Sequence, residues 1–525
     1  MTAQLNRFVP GQADLIAGVT VALVLVPQSV AYAHLAGVPA GAGLVAGALA
    51  ALVGALLTAS PHLQSGPTAL TSLLTFGVVA NSTTPEAALH RAMLLALLIG
   101  AIRVLLALAR AGPLSFLISE PILVGLLPGA AIVIAASQLP ALLGVRVDRD
   151  RGVFGGAEEA LSHPGSWNGF ALAVGAISLC AFAGSRTVSP RIPVVAATVL
   201  GTIVASHAFG FSGPTVGQIN VPLGPALDAL PWGATTSLLL PALVIAVVGF
   251  VEPTMIARSM PSDADTRWNP DRELFAQGMT NVVAGAGGGF PVGASLSRSA
   301  LNRAVGARSR LSGLVTGIAL LAFLPAAGLL SPLPESVPAA LVIVAVLRLA
   351  NPRPLITLAR SSRIQLGVAL AALVLTIALT PRLDYAVGIT IVLAIVIHLW
   401  LETRVPLQIE QHGTRLILRP AGVLWFASAY RFEEAAMAAI EAHDCAEMVI
   451  RLDGLGRIDV TGARALVRCI EFAERKGMRA QLDNVPAPAA LLMGRLLAHT
   501  DPSGQPVAEP TSSAADQAGF ETQAS

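Results

Sequence analysis

The chain has 525 residues, 54% of them hydrophobic and 12% charged, and its mean hydropathy is +0.71. Soluble domains carry about 25% charged residues, so most of this chain belongs in a solvent that rejects charge. A net charge of +2 gives no electrostatic footprint for nucleic acid, and three scattered cysteines (Cys180, Cys445, Cys469) give neither a disulfide framework nor a metal cage.

The opening MTAQLNRFVPGQAD is short and polar, and DLIAGVTVALVLV follows without a cleavage-type small-residue site. The first apolar run therefore reads as a span and not as a secretory leader. A helix needs roughly 20 apolar residues to cross hydrocarbon. Segments 14–36, 40–58, 66–80, 90–110, 119–143, 168–185, 191–210, 233–257, 273–288, 294–304, 309–330, 335–350, 364–380 and 384–402 predict about fourteen spans in an α-helical polytopic membrane protein. In the first, Gln28 and Tyr32 stand four apart on one helix face. They either line a cavity or hydrogen-bond to a neighbouring helix. Two segments are too short to cross: 66–80, opening SGPTA, and 294–304, opening ASLSR.

Short cationic loops set orientation. With the N-terminus inside, inward loops hold Arg110, Arg186, Arg191, Arg258, Arg267, Arg272, Arg303, Arg308, Arg310, Arg348, Arg353, Arg360 and Arg363. Outward loops hold Arg91, Arg146, Arg149, Arg151 and Arg382, three of them among Asp148, Asp150, Glu158 and Glu159. This predicts a multi-pass protein of the cell inner (plasma) membrane with both termini cytoplasmic.

The two halves echo each other. VPQSVA (26–31) and VEPTMIA (251–257) align at an offset of 226, and the same offset lays SGPTALTSLL (65–74) over PVGASLSRSA (291–300). Short segments at corresponding places in two halves point to an inverted-repeat transporter whose broken helices meet near the midplane. First-turn N–H groups of such half-helices lack intrahelical partners, and each N-terminus carries about half a positive charge. Two of them aimed at one spot make an anion site. The first would offer Gly66, Thr68 and Ala69, the second Ala294, Ser295 and Leu296, with Gly66 and Gly293 allowing close backbone approach. Arg298, in GGGFPVGASLSRSALNRAVG, adds a permanent cation one turn into the second.

An arginine at this depth is a functional candidate. Two plainer readings stand beside it: a structural ion pair with Glu252, the lone acid of the eighth span, or a position at the membrane edge from which Arg298 snorkels to water. The pair and the site are compatible, because Glu252 could neutralise Arg298 when empty and take a proton when an anion arrives.

After residue 402 the composition changes. RLILRPAGVLWF and AEMVIRLDGL read as strands, while YRFEEAAMAAIEAH and TGARALVRCIEFAERKG read as helices with charged outer faces. This predicts a transmembrane domain over 1–404, a small cytoplasmic α/β domain over 405–497 and a disordered Pro/Ser/Ala-rich tail over 498–525.

DLIAGVTVALVLVPQSVAYAHLAGVPA, the SGPTA segment and NPDRELFAQGMTNVVAGAGGGFPVGASLSRSALNRAVGARSRLSG together resemble the SulP family of anion transporters. The resemblance implies seven plus seven inverted repeats forming core and gate domains, substrate between the third and tenth spans, and assembly as a homodimer. By motif, Ser297 and Arg298 match the Ser-Arg pair that binds anion in prestin-like members. Gln28 and Tyr32 match first-span cavity residues, and Glu252 an eighth-span acid involved in coupling in bacterial relatives. The family's sodium-dependent bicarbonate carriers use an Asp with a Thr one turn later; Glu252 is followed by Ile256, which argues against sodium coupling. VIRLDGLGRIDVTGARAL resembles a STAS domain, where Thr461 matches the phosphorylated Ser or Thr of anti-sigma-factor antagonists. The plainer reading, and the favoured one, is that Thr461 or Asp459 merely caps the helix.

GAGGGF (285–290) lacks the Gly-Lys-Ser/Thr ending of a phosphate loop, and the histidines lack HExxH or ligand spacing. No metal, cofactor or enzymatic activity is expected. The expected partners are a small anion, a coupling proton and the lipid bilayer. The reading is proton-coupled uptake of sulfate by alternating access. C4-dicarboxylate and bicarbonate are the alternative substrates, and an uncoupled anion channel or voltage-driven motor is the alternative mechanism. A nucleobase permease would need an acid or amide in place of Arg298.

Overall fold

A computed structural model of the chain describes residues 10–113, 119–148, 151–185, 193–221, 224, 227–260, 268–347, 349–486 and 492. The expected tail and the end of the second domain lie outside these residues, as do Arg149, Asp150, Arg186, Arg191, Arg267, Arg348 and the Arg258 side chain. The chain divides into two compact units, Met1–Ala394 and Ile395–Ser525.

The first half contributes α1 (Gln12–Ala36), α2 (Ala40–Leu57), β1 (Ser65–Gly66), α3 (Ala69–Val79), α4 (Pro85–Leu108), α5 (Glu120–Leu143), α6 (Gly152–Ser162), α7 (Gly169–Gly184) and α8 (Val194–Ala208). The second contributes α9 (Thr235–Val248), α10 (Val251–Ser259), α11 (Pro270–Ala286), β2 (Gly293–Ala294), α12 (Leu296–Val305), α13 (Leu311–Phe323), α14 (Ser336–Val346), α15 (Arg353–Ser361), α16 (Arg363–Ala378) and α17 (Leu383–Glu402). A helix stands at each of the fourteen predicted positions. Among the described residues seven are long and apolar enough to cross a membrane, counting 232–257 as one.

Side-chain caps start several of these helices. Thr84, Asn168 and Asn269 accept the N–H of Ala87, Ala171 and Arg272, each satisfying a donor that the first turn leaves over. Small residues let the helices close on one another where apolar burial cannot drive association. Helix α11 lies so near α4 that a Cβ on Gly100 would sit 2.7 Å from the Gly278 carbonyl oxygen. Helix α13 packs on α1 and α2, and α16 on α5.

Three expectations need correction. Helices α6 and α15 occupy stretches read as loops; both are short and carry charge, so apolar length does not mark them. The eighth span is interrupted between α9 and α10. Pro253 has no N–H for the carbonyl one turn back, and Arg103 takes the Ala246 carbonyl, so the Phe250 N–H bonds to Val247 instead. The repeat offset is also one short, since the caps of α3 and α12, Thr68 and Ser295, are 227 residues apart.

In the second unit β3 (Leu407–His412), β4 (Arg415–Pro420), β5 (Gly422–Leu424), α18 (Phe426–Ala442), β6 (Glu447–Arg451), β7 (Leu455–Ile458), α19 (Val460–Arg475) and β8 (Arg479–Asp483) follow in order. The main sheet runs β3-β4-β6-β8, antiparallel at β3–β4 and parallel beyond, and β5 and β7 form a separate parallel pair. Leu416, Leu418, Phe432, Met448, Ile450 and Leu466 fill its core. The predicted strand 415–426 is therefore two strands and a helix start.

Candidate functional site

The two short segments meet. Strands β1 and β2 pair antiparallel, with Ser65 opposite Ala294 and Gly66 opposite Gly293, so α3 and α12 begin side by side. Thr68 caps α3 by accepting the Thr71 N–H at 3.4 Å, and Ser295 caps α12 by accepting the Arg298 N–H at 3.4 Å. Helix geometry leaves the N–H groups of Ala69 and Leu70, and of Leu296 and Ser297, without helical acceptors.

Arg298 is 1% exposed. Its Nη1 donates to Gln28 Oε1 at 3.0 Å, while Nε and Nη2 are buried with no partner. Tyr32 lies buried one turn beyond Gln28 and close enough to interact electrostatically with Arg298 and Glu252. A Cβ at Gly66 would come 3.0 Å from Arg298 Nη2, so the guanidinium lies against the bare backbone of β1. Glu252 stands in the first turn of α10, with Thr68 as a polar neighbour and its Oε2 buried and unpartnered.

This overturns two plainer readings. Arg298 is too enclosed to snorkel. It interacts electrostatically with Glu252, but no ion pair joins them among the described residues. Two site details also change. The Ser295 N–H donates to the Gln64 carbonyl at 3.0 Å and is not available to a ligand. Leu296 is 49% exposed, so its backbone alone belongs to the site. Ser297 Oγ lies 3.2 Å from Ser295 Oγ.

Two sets of residues were not singled out by sequence. Arg103 of α4 is fully buried; its Nε and Nη2 donate to the carbonyls of Ala246 and Ile245 at 3.0 and 3.2 Å, which places it at the break beside Glu252. Its signal was the same as that of Arg298, a lone cation in an apolar run. Glu273, Gln277 and Asn281 form a polar ladder along α11. Glu273 Oε2 accepts from Thr58 Oγ1 at 2.8 Å and the Ala59 N–H at 2.9 Å, and Gln277 Nε2 donates to Ser65 Oγ at 3.1 Å. Asn281 holds both backbone groups of Val292. The ladder thus braces both strands from one side.

In the second unit Asp459 is the cap of α19. Its Oδ1 accepts the Gly462 N–H at 2.7 Å and its Oδ2 the Phe426 N–H at 2.9 Å. Thr461 is exposed in the first turn and does not cap.

Together these groups can hold a small oxyanion: two buried cationic N–H donors, free N–H groups at two helix starts, and a carboxyl able to carry a proton.

Residues 12–372 match the Sulfate permease family and residues 406–492 the STAS domain. The chain is 35% identical to a "Probable sulfate transporter" of Mycobacterium tuberculosis (strain H37Rv), over 68% of this chain and 65% of that protein. It is 27% identical to the "Sodium-independent sulfate anion transporter" of Bos taurus over 90% of this chain and 84% of that one. The first relatives are thus matched over just under two thirds of their length. In fold it is similar to the murine Solute Carrier 26 family member A9 anion transporter (TM-score 0.82, 19% identity, 94% of this chain and 89% of that one). It is also similar to the transmembrane domain of the cyanobacterium bicarbonate transporter BicA (TM-score 0.63, 24% identity, 71% and 97%).

Proposed function

The chain belongs to the sulfate permease family, and from that premise we propose that it is a secondary active transporter of a small inorganic anion, sulfate foremost, working by alternating access. One observation carries the reading: a fully enclosed arginine with two unpartnered donor nitrogens lies against the backbone of β1, where two half-helices begin side by side. Each buried donor left unmade costs about 1–3 kcal/mol. A bound oxyanion would offset that cost at both donors and complete the helix starts. Sulfate comes first because a dianion suits two dipoles and an arginine, and because curated relatives carry that substrate in their names.

Glu252 is the proposed proton carrier. Its unpartnered Oε2 would lie 3.7 Å from a Cβ at Gly293 of β2, and a protonated carboxyl becomes a donor that an anion oxygen can use. The Ile256 side chain, one turn on, offers no oxygen to a sodium ion. In the cell we place the protein in the inner (plasma) membrane with both termini cytoplasmic, as the arginine distribution favours, and acting as a homodimer. Thr461, exposed at the start of α19, is the candidate for phosphorylation in the STAS domain.

The test is proton-gradient-driven uptake of labelled sulfate into proteoliposomes. Wild type should accumulate sulfate, Arg298→Ala should not, and Glu252→Gln should retain exchange without accumulation. Entry of bicarbonate or a C4-dicarboxylate in place of sulfate would change the substrate and keep the site. Dissipation without accumulation would indicate a channel. Normal transport by Arg298→Ala would overturn the site.

A further inference from the structure

Arg91 and Arg382 stand against the bias of the loops. In the orientation proposed above, outward loops are poor in arginine, and these two have no run of acidic residues around them. They come from opposite halves of the chain, yet the fold brings them to the wall of one cavity of about 370 Å³, with Asn81, Ser237 and Tyr385. A second cavity of about 370 Å³ adjoins it, sharing Arg91 and Asn81 and adding His90. Both lie at the end of α3 away from β1. Helix α3 has eleven residues, so the cavities sit about 16 Å from the Arg298 site at 1.5 Å per residue.

The charges there are unequally matched. Arg382 grips Asp384 with both Nε–Oδ1 (3.2 Å) and Nη2–Oδ2 (3.0 Å), and its guanidinium lies 4.0 Å over the Tyr385 ring. Asp384 therefore balances Arg382. Half-buried Arg91 has neither a hydrogen bond nor an ion pair among the described residues. The end of α3 turns carbonyls and about half a negative charge toward the same place. An uncompensated cation is what allows an anion to rest there at all.

We propose that this cavity is a second anion site, an outer waiting position where a small inorganic oxyanion is collected before it reaches Arg298. It rests on the reading of the protein as an anion transporter and adds a stage to it. A single uncompensated cation in a cleft with low-dielectric walls attracts counter-ions and raises their association rate, by less than the roughly 10–10³ reached when the whole cleft is of one sign, and salt weakens the effect. The site would therefore act on capture from outside and leave the carrying step alone.

The experiment is sided. Initial uptake of labelled sulfate would be measured in proteoliposomes of uniform orientation at low and high ionic strength, for wild type, Arg91→Gln and Arg91→Lys. Efflux from loaded vesicles gives the inner half-saturation. Arg91→Gln should raise the outer KM about fivefold at low ionic strength, flatten its salt dependence, and leave the maximal rate and inner half-saturation within twofold. Arg91→Lys should restore the outer KM. An unchanged outer KM, or a fall in maximal rate with KM constant on both sides, would overturn the waiting site and leave Arg91 a structural cation. Failure of the transport reading shows separately, as absence of sulfate uptake by wild type; the same sided comparison is then made with labelled bicarbonate.

Discussion

Asn281 grips Val292 by both of its backbone groups: Nδ2 donates to the Val292 carbonyl and Oδ1 accepts the Val292 N–H, each at 3.0 Å. Val292 immediately precedes β2, so one amide on α11 sets where the second half-helix starts. Asn281→Ala leaves two buried backbone groups unmade, at about 1–3 kcal/mol each. The expected outcome is a loss of about 2–6 kcal/mol in unfolding free energy, with weaker anion binding in whatever folds. Unfolding of the detergent-solubilised protein checks it, and wild-type stability would show that the clamp is redundant.

Gly66→Ala tests the close approach of β1 to the guanidinium. The added methyl would lie 3.0 Å from Arg298 Nη2 and 3.4 Å from Leu25 Cδ1. Overpacking of this kind costs about 1–3 kcal/mol, and at φ 158° the backbone of Gly66 is itself unfavourable for a residue with a Cβ, so backbone and arginine both shift. Sulfate KM should rise about fivefold or more, with a fall of a few degrees in melting temperature. An unaltered KM would mean that the donors aimed at the anion do not depend on this wall.

Arg103 holds the interrupted span. Arg103→Met returns the Ala246 carbonyl to the Phe250 N–H, which favours a continuous helix and turns Glu252 away from Thr68. Turnover at saturating sulfate should fall about tenfold or more, since small misplacements of working groups carry large rate losses. Arg103→Lys, which keeps the charge with fewer donors, should fall between. Full activity in Arg103→Met would show that the break does not serve Glu252.

Burial pushes the Cys469 thiol of α19 up to about 12. At pH 8 its thiolate fraction is then about one in ten thousand, and the thiolate is the reactive form. The sign is that reactivity stays negligible through neutral pH and rises only toward strongly basic conditions. Mass spectrometry after alkylation of the folded full-length protein at pH 8 should find Cys469 unmodified, and modified after denaturation. Rapid labelling of the folded chain would mean that the second core is loose.

The spans were legible because apolar length is a property of the local chain. The half-helices were legible too, from their shortness and their Gly/Pro openings, and Arg298 stood out as a lone charge. What escaped depends on partners far away. The interruption at Gly249–Phe250 depends on Arg103, 143 residues from Ala246. The loss of the Ser295 N–H to the fold depends on Gln64, across the two halves. Glu273, Gln277 and Asn281 show in the sequence as polar residues at helical spacing, which marks a face without naming what it touches.

The pairing of β1 with β2 also orders the protein's biogenesis. Ser65 and Gly66 enter the bilayer long before the ribosome has made Gly293 and Ala294, their partners in the ladder. Until then the first seven segments carry unpaired strand backbone leading into α3, which hydrocarbon does not tolerate. The nascent first half must stay near water, a chaperoning protein or the insertion machinery until the tenth segment arrives. The candidate site is thus incomplete until the tenth of the fourteen segments has been made, and the β1–β2 pairing then joins the two halves of the polypeptide.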